Sequence, residues 1–324
     1  MRNPESAVAQ QLADLERTDA ALVLATGMAA VASTLITLLV PGDHLVASSW
    51  LRADTRHFFV HELPALGVQV SFVDPTETRG WRRALTPQTR LLFVESPVDP
   101  TTRVVDLRAP RALAQELGLA FVVDSTLAGP INFRAVECGA DVVVHAASAV
   151  LDGHHDGVAG VVCGTGAVIE EVRHKMRAWG AEPHPAAVAS LARGLQTLAV
   201  RVAQQSASAQ TVAAWAEQQP AFTRVFYPGL ASHPDHAVAA ACLAGYGSVM
   251  AVECAGGDAA ASQLLAQLQR FDVCAVEDAP RLGGARSVAS ALSAVPGLSD
   301  GTIRFNIGLD DATSLIDDLS QAME

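Results

Sequence analysis

Six short Val-rich runs, bounded by Gly, Pro and Asp, alternate with helical patterns through the first half of the chain. They cover residues 44–48, 68–73, 91–95, 120–124, 142–146 and 158–163. Their apolar residues are continuous rather than alternating, as in strands buried on both faces. Helical spacing lies between several of them, for example at 107–117, and opens the chain at 6–17 through Val8, Leu12 and Leu15. Such an alternation predicts an α/β fold with a mostly parallel sheet.

The texture changes after Gly180. Pro183 and Pro185 interrupt the chain, and residues 186–218 read as one long Ala-rich helical region. Tyr227-Pro228-Gly229 is a turn. Strands are then expected at 248–254 and 302–307, and helices at 259–268 and 311–323, with Asp258 as the N-cap of the first of these helices. The expected organisation is a large α/β domain over 1–185, followed by an interdomain helix and a small α+β domain over 186–324.

Composition narrows the function. Half of the 324 residues are hydrophobic and 17% are charged, which excludes general disorder. The net charge of −12 argues against a nucleic-acid or anionic-membrane partner. Residues 20–40 carry no charge and are long enough to span a bilayer, but Ala, Thr, Ser and Gly dominate them. A strand end followed by a core helix is the better reading. Five widely spaced cysteines without a CxxC pair fit a reducing compartment, and the N-terminus has no apolar signal region, so a cytoplasmic protein is expected. Lysine occurs once, at Lys175.

In open parallel sheets, ligands bind at the carboxyl ends of strands. Four segments fall at predicted strand or helix ends: Thr26-Gly27-Met28, whose N–H groups open a helix and suit an anion; residues 95–100; Asp124-Ser125-Thr126; and residues 145–156. His154, His155 and Asp156 are adjacent in sequence, a poor spacing for one ion, so no metal site is expected. The absence of GxSxG leaves a Ser-His-Asp hydrolase unsupported.

Taken in order, these segments resemble the Cys/Met-metabolism (trans-sulfuration) family of pyridoxal-phosphate enzymes, which includes cystathionine γ-synthase, cystathionine γ-lyase and methionine γ-lyase. The matching stretches are Arg2-Asn3-Pro4 with the LADLE helix, ATGMAAVASTLITLLVPGDHLV at 25–46, residues 91–106, residues 141–160, RGLQTL at 193–198, VFYPGLASHP at 225–234, Leu282-Gly283-Gly284 and IRFNIGL at 303–309. The resemblance implies the aspartate-aminotransferase-like fold (fold type I), in agreement with the pattern reading.

It also implies site roles. Gly27 and Met28 match the backbone phosphate cradle, Asp124 the partner of the pyridine nitrogen, and Arg304 the fork that grips the substrate α-carboxylate. Thr126 and Ser148 are further cofactor-side positions, and His154 a substrate-side one. Other positions depart from the family. Ala149 stands where the family has its Schiff-base lysine, Arg52 where a Tyr stacks on the ring, Asp99 where an Asn meets the ring hydroxyl, and Ala146 where a Ser holds phosphate. Arg281 replaces a Ser of the SLGG motif and Arg286 the Glu that follows it. The chain starts at the Asn-Pro motif, so the arm that relatives extend into a neighbouring subunit is expected to be absent.

Three expectations follow. The first is a catalytically degenerate subunit in a homo-oligomer (dimer or tetramer), or in a hetero-oligomer with an active homologue. It has no covalently bound cofactor, and pyridoxal phosphate is at most a weak non-covalent ligand. The second is a pocket repurposed for a small amino-acid-like or anionic substrate, independent of pyridoxal phosphate or using it without a covalent link. The third, and least favoured, is a conventional lyase.

Overall fold

The computed structural model describes residues 4–274, 282–292 and 298–324. A seven-stranded sheet is built from β1 (Ala20–Leu24), β2 (His44–Ser48), β3 (Gln69–Val73), β4 (Thr89–Glu95), β5 (Ala120–Asp124), β6 (Val142–Ala146) and β7 (Gly160–Gly164). Its order is β1-β7-β6-β5-β4-β2-β3. Only β7 runs against the rest, pairing antiparallel with both β1 and β6. Val and Leu at the strand centres are fully buried, from Val23 to Val162, because helices cover both faces.

Residues 20–40 form β1 and then the helix Gly27–Leu38, whose N-cap Thr26 accepts a hydrogen bond from the Ala29 N–H at 2.9 Å. No helix among the described residues is long and apolar enough to cross a membrane.

A second sheet has the order β10-β11-β12-β9-β8, from β8 (Phe222–Phe226), β9 (Val249–Cys254), β10 (Asp272–Val273), β11 (Val288–Leu292) and β12 (Thr302–Asn306). Its core, with Met250, Val252, Phe271, Ile303 and Phe305, packs against the helices Leu198–Ala216, Gly257–Gln267 and Ala312–Ala322. The helix Pro185–Leu195 instead contributes Ala187, Val188, Leu191 and Leu195 to the core of the first sheet.

Three local expectations are corrected. The long helix expected over 186–218 is two helices, Pro185–Leu195 and Leu198–Ala216. The Gly194 carbonyl is drawn off to the Thr197 N–H and the Arg201 guanidinium, which interrupts the i to i+4 ladder. Asp258 is not an N-cap: it lies inside Gly257–Gln267, and its carboxylate accepts from the Gly301 N–H at 2.7 Å. The strand expected from 158 begins at Gly160, with Val158 exposed before it.

Candidate active site at the strand ends

Parallel register sets the floor of the site. β4 and β5 end side by side, with Glu95 opposite Asp124. Both side chains are buried. Two neighbouring carboxylates cannot both ionise cheaply in a low-dielectric setting. Burial first, and then the Asp124 charge, push the Glu95 carboxyl well above the usual carboxylate range, while Arg52 pulls the other way. The Arg52 N–H donates to Glu95 Oε2 at 2.9 Å. Burial works against the Arg52 charge, but Glu95, Asp99, Asp124 and Asp54 outweigh it and raise the pKa of the guanidinium.

Asp124 is fixed by its own turn. Its Oδ1 accepts from the Thr126 N–H at 2.9 Å and from the Thr126 hydroxyl at 2.5 Å. The same hydroxyl accepts from the Ala146 N–H at 2.8 Å, linking the ends of β5 and β6. Across from these ends lies the start of the helix Gly27–Leu38. A Cβ on Gly27 would stand 2.6 Å from the Ala146 Cβ, so only glycine lets the helix N-terminus come this close to β6. Met28 is half-buried, and its sulfur receives the Thr55 hydroxyl at 3.8 Å.

The second sheet supplies Arg304 from β12. It meets Asp99, on the loop after β4, through Nη1 to Oδ2 at 2.8 Å, with side chains 7% and 14% exposed. Arg52, Glu95, Asp99, Asp124 and Arg304 are thereby joined in one charged constellation, with Thr126, Ala146, Gly27 and Met28 at its edge. Ser148 is half-buried, and its carbonyl faces His155 Nδ1 at 2.9 Å. Ala149 is buried and packs with Leu127, Val249 and Leu282. His154 is exposed and folds back on Asp152, its Nδ1 3.0 Å from the Asp152 carbonyl. Arg281 lies outside the described residues. No group of His, Cys, Asp and Glu among the described residues is placed to hold a metal ion.

Two parts of the site were given no role from the sequence, although Glu95 opens the candidate segment 95–100. Glu95 carried a signal, since it ends a predicted strand just as Asp124 does. Arg201 carried none, because it is one polar residue in an Ala-rich helix. It is nevertheless buried, and its guanidinium donates to the carbonyls of Val150, Leu151 and Gly194 at 3.0–3.2 Å and to that of Gly283 at 3.5 Å. Beside it, Gln205 donates to the Gly283 and Gly284 carbonyls, and Asn306 accepts from the Gly283 N–H at 2.8 Å. These contacts fix the 282–284 segment against the loop that carries Ala149.

Comparison with known proteins agrees with this arrangement. A family model described as Cys/Met metabolism PLP-dependent enzyme matches residues 1–324. L-methionine gamma-lyase of Pseudomonas putida is 35% identical over 325 residues, covering 97% of this chain and 81% of its own length. Cystathionine beta-lyase of Coxiella burnetii is 34% identical over 327 residues, covering 96% and 83%. Among solved structures, cystathionine gamma synthase from Xanthomonas oryzae pv. oryzae, in complex with aminoacrylate and cysteine, superposes with a TM-score of 0.93 at 28% identity, over 99% of this chain and 85% of that one. MetB from Corynebacterium glutamicum gives the same TM-score at 29% identity, over 99% and 84%.

These matches correct the cofactor expectation. A chain matched from end to end by a PLP-dependent family is to be read against pyridoxal phosphate as its cofactor, not as a protein for which it is at most a weak, non-covalent ligand. The pocket fits the group at both ends. Gly27 lets the start of a helix, whose first N–H groups would suit a phosphate, come close to the end of β6, and the buried Asp124 carboxylate suits a protonated ring nitrogen. Fold, site and sequence converge, and the chain belongs to the trans-sulfuration, Cys/Met-metabolism family of pyridoxal-phosphate-dependent enzymes.

Proposed function

We propose that this chain is a catalytically degenerate member of the family, acting as a subunit of a homo-oligomer or beside an active homologue. Residues 1–185 would form its large cofactor-side unit and 186–324 its smaller one. The observation that carries the reading is residue 149. The family's resemblance pattern has a lysine there, whereas this chain has an alanine whose methyl group is packed among Leu127, Val249 and Leu282. The single lysine, Lys175, is exposed on the helix Gly166–Trp179. Pyridoxal phosphate, when bound, supplies an electron sink for chemistry at the α carbon of an amino acid. Gly27 and Met28 would hold its phosphate and Asp124 its ring nitrogen, but a methyl group at 149 can neither take nor return a proton.

Assembly is supported by exposed Val158, Trp179 and Val200, which are 60%, 64% and 76% accessible in the single chain. Five widely spaced cysteines without a CxxC pair support a reducing, cytoplasmic setting. The test is 2-oxo-acid release from L-methionine and L-cystathionine with pyridoxal phosphate added. The expected rate does not exceed that of pyridoxal phosphate alone; sustained turnover by the purified chain would refute the proposal. Light scattering should give a dimer or larger.

A second reading, an enzyme whose pocket has been rebuilt for another small ligand, is favoured by one observation. The changed residues Arg52 and Asp99 have not scattered but interlock with Glu95, Asp124 and Arg304. A ligand that raises the melting temperature of the parent but not of Arg304→Ala would support it.

A further inference from the structure

Arg304 is buried and already holds a carboxylate of its own chain, that of Asp99, at 2.8 Å. The pair joins the loop after β4 to β12 of the other sheet, 205 positions apart. Asp99 Oδ1 is buried and has no hydrogen-bond partner among the described residues. Glu95 and Asp124 lie close enough to act on the same Arg52 as Asp99 does. A ligand carboxylate directed at Arg304 would therefore have to displace Asp99 and then sit beside it. Like charges brought together out of water repel strongly. Among the described residues, the guanidinium groups of Arg52 and Arg304 already face the carboxylates of Glu95, Asp99 and Asp124.

We infer that Asp99 is a specificity-determining residue that occupies Arg304 in place of a ligand α-carboxylate and closes the pocket to α-amino and α-keto acids. This rests on reading the pocket as the ligand site of the family. Asparagine at 99 keeps the shape and removes the charge, so it should open Arg304 to an anion. A charge-assisted pair of this kind corresponds to about a tenfold to hundredfold gain in affinity.

The test is calorimetric titration of the full chain, with pyridoxal phosphate present, using L-norleucine, an unreactive methionine analogue. The parent should give no measurable binding, Asp99→Asn should bind, and the double variant Asp99→Asn/Arg304→Gln should lose the gain. Binding by the parent that Arg304→Gln abolishes overturns the inference, and that measurement needs no variant at position 99. A folded Asp99→Asn that gains nothing, with Asp99→Ser agreeing, overturns it as well. Turnover is read separately with 3-methylthiopropylamine, which is methionine without its carboxylate. Turnover of this amine by the parent would sink the degenerate reading and leave the closure by Asp99 intact. Norleucine binding by the parent without any turnover would do the reverse.

Discussion

Removing Glu16 tests how the first helix is locked to the sheet. Glu16 ends the helix Pro4–Glu16, and its Oε1 lies 2.6 Å from Nε2 of His145 on β6, with both side chains 1% exposed. Glu16 Oε2 and His145 Nδ1 have no partner among the described residues, so this contact is the one side-chain hydrogen bond that either group makes with them in its buried setting. Glu16→Ala takes it away and leaves a buried imidazole without any hydrogen bond. Leaving a buried polar group unsatisfied in this way costs about 1–3 kcal/mol. At about 2 °C per kcal/mol for a chain of this size, the melting temperature should fall by roughly 2–6 °C. Glu16→Gln keeps the shape and one polar partner, and should cost about 0.5–1.5 kcal/mol. Replacing both residues by apolar ones, Glu16→Met with His145→Leu, should recover most of the loss, because no orphan remains. The assay is denaturant unfolding followed by tryptophan fluorescence, checked by calorimetry. The reasoning fails if Ala and Gln cost the same, or if the double variant is less stable than Glu16→Ala.

Three further outcomes are expected. Glu95 is raised above its ordinary value by burial and then by Asp124, so its contribution to stability is complete below the unfolded carboxylate pKa and is lost as pH rises through the folded one. Glu95→Gln should therefore flatten the decline of stability with pH from about 4.5 upward, read from urea midpoints across pH 5–8. Gly27→Ala places a Cβ against Ala146 and should destabilise by about 1–3 kcal/mol, while weakening binding of pyridoxal phosphate followed by absorbance. Burial pushes the thiols of Cys242 and Cys254 up to about 11 and that of Cys163 well above its usual range, so none should react quickly with a disulfide reagent at pH 8 until the chain unfolds.

The large sheet was legible because its strands are buried on both faces. The expected limits of the runs at 44–48, 120–124 and 142–146 coincide with β2, β5 and β6. β1 was foreshadowed only as an apolar strand end, and β8 went unread because Thr223 and Arg224 face solvent on the outer strand of the smaller sheet. Asp124 and Arg304 could be singled out by resemblance, and the structure links them through Arg52 and Asp99. The pairing of Arg304 with Asp99 could not be read, since 205 positions separate them and only the packing of two sheets makes them neighbours. His154 could be placed by motif alone, but the turn onto Asp152 directs it outward.

The carbonyl acceptors of Arg201 come from three stretches of chain: the loop after β6, the end of the helix Pro185–Leu195, and the segment before β11. Burial disfavours its charge and lowers the guanidinium pKa, and Asp152 offsets this only in part. A cation in that position is satisfied only when all three stretches have arrived. An assembly intermediate with one sheet formed and the other open would hold a desolvated charge with part of its shell missing. The two sheets should therefore gain and lose structure together, as one cooperative unit. In native-state hydrogen exchange, the amides of β6 and β12 should open with a common free energy, although they belong to different sheets.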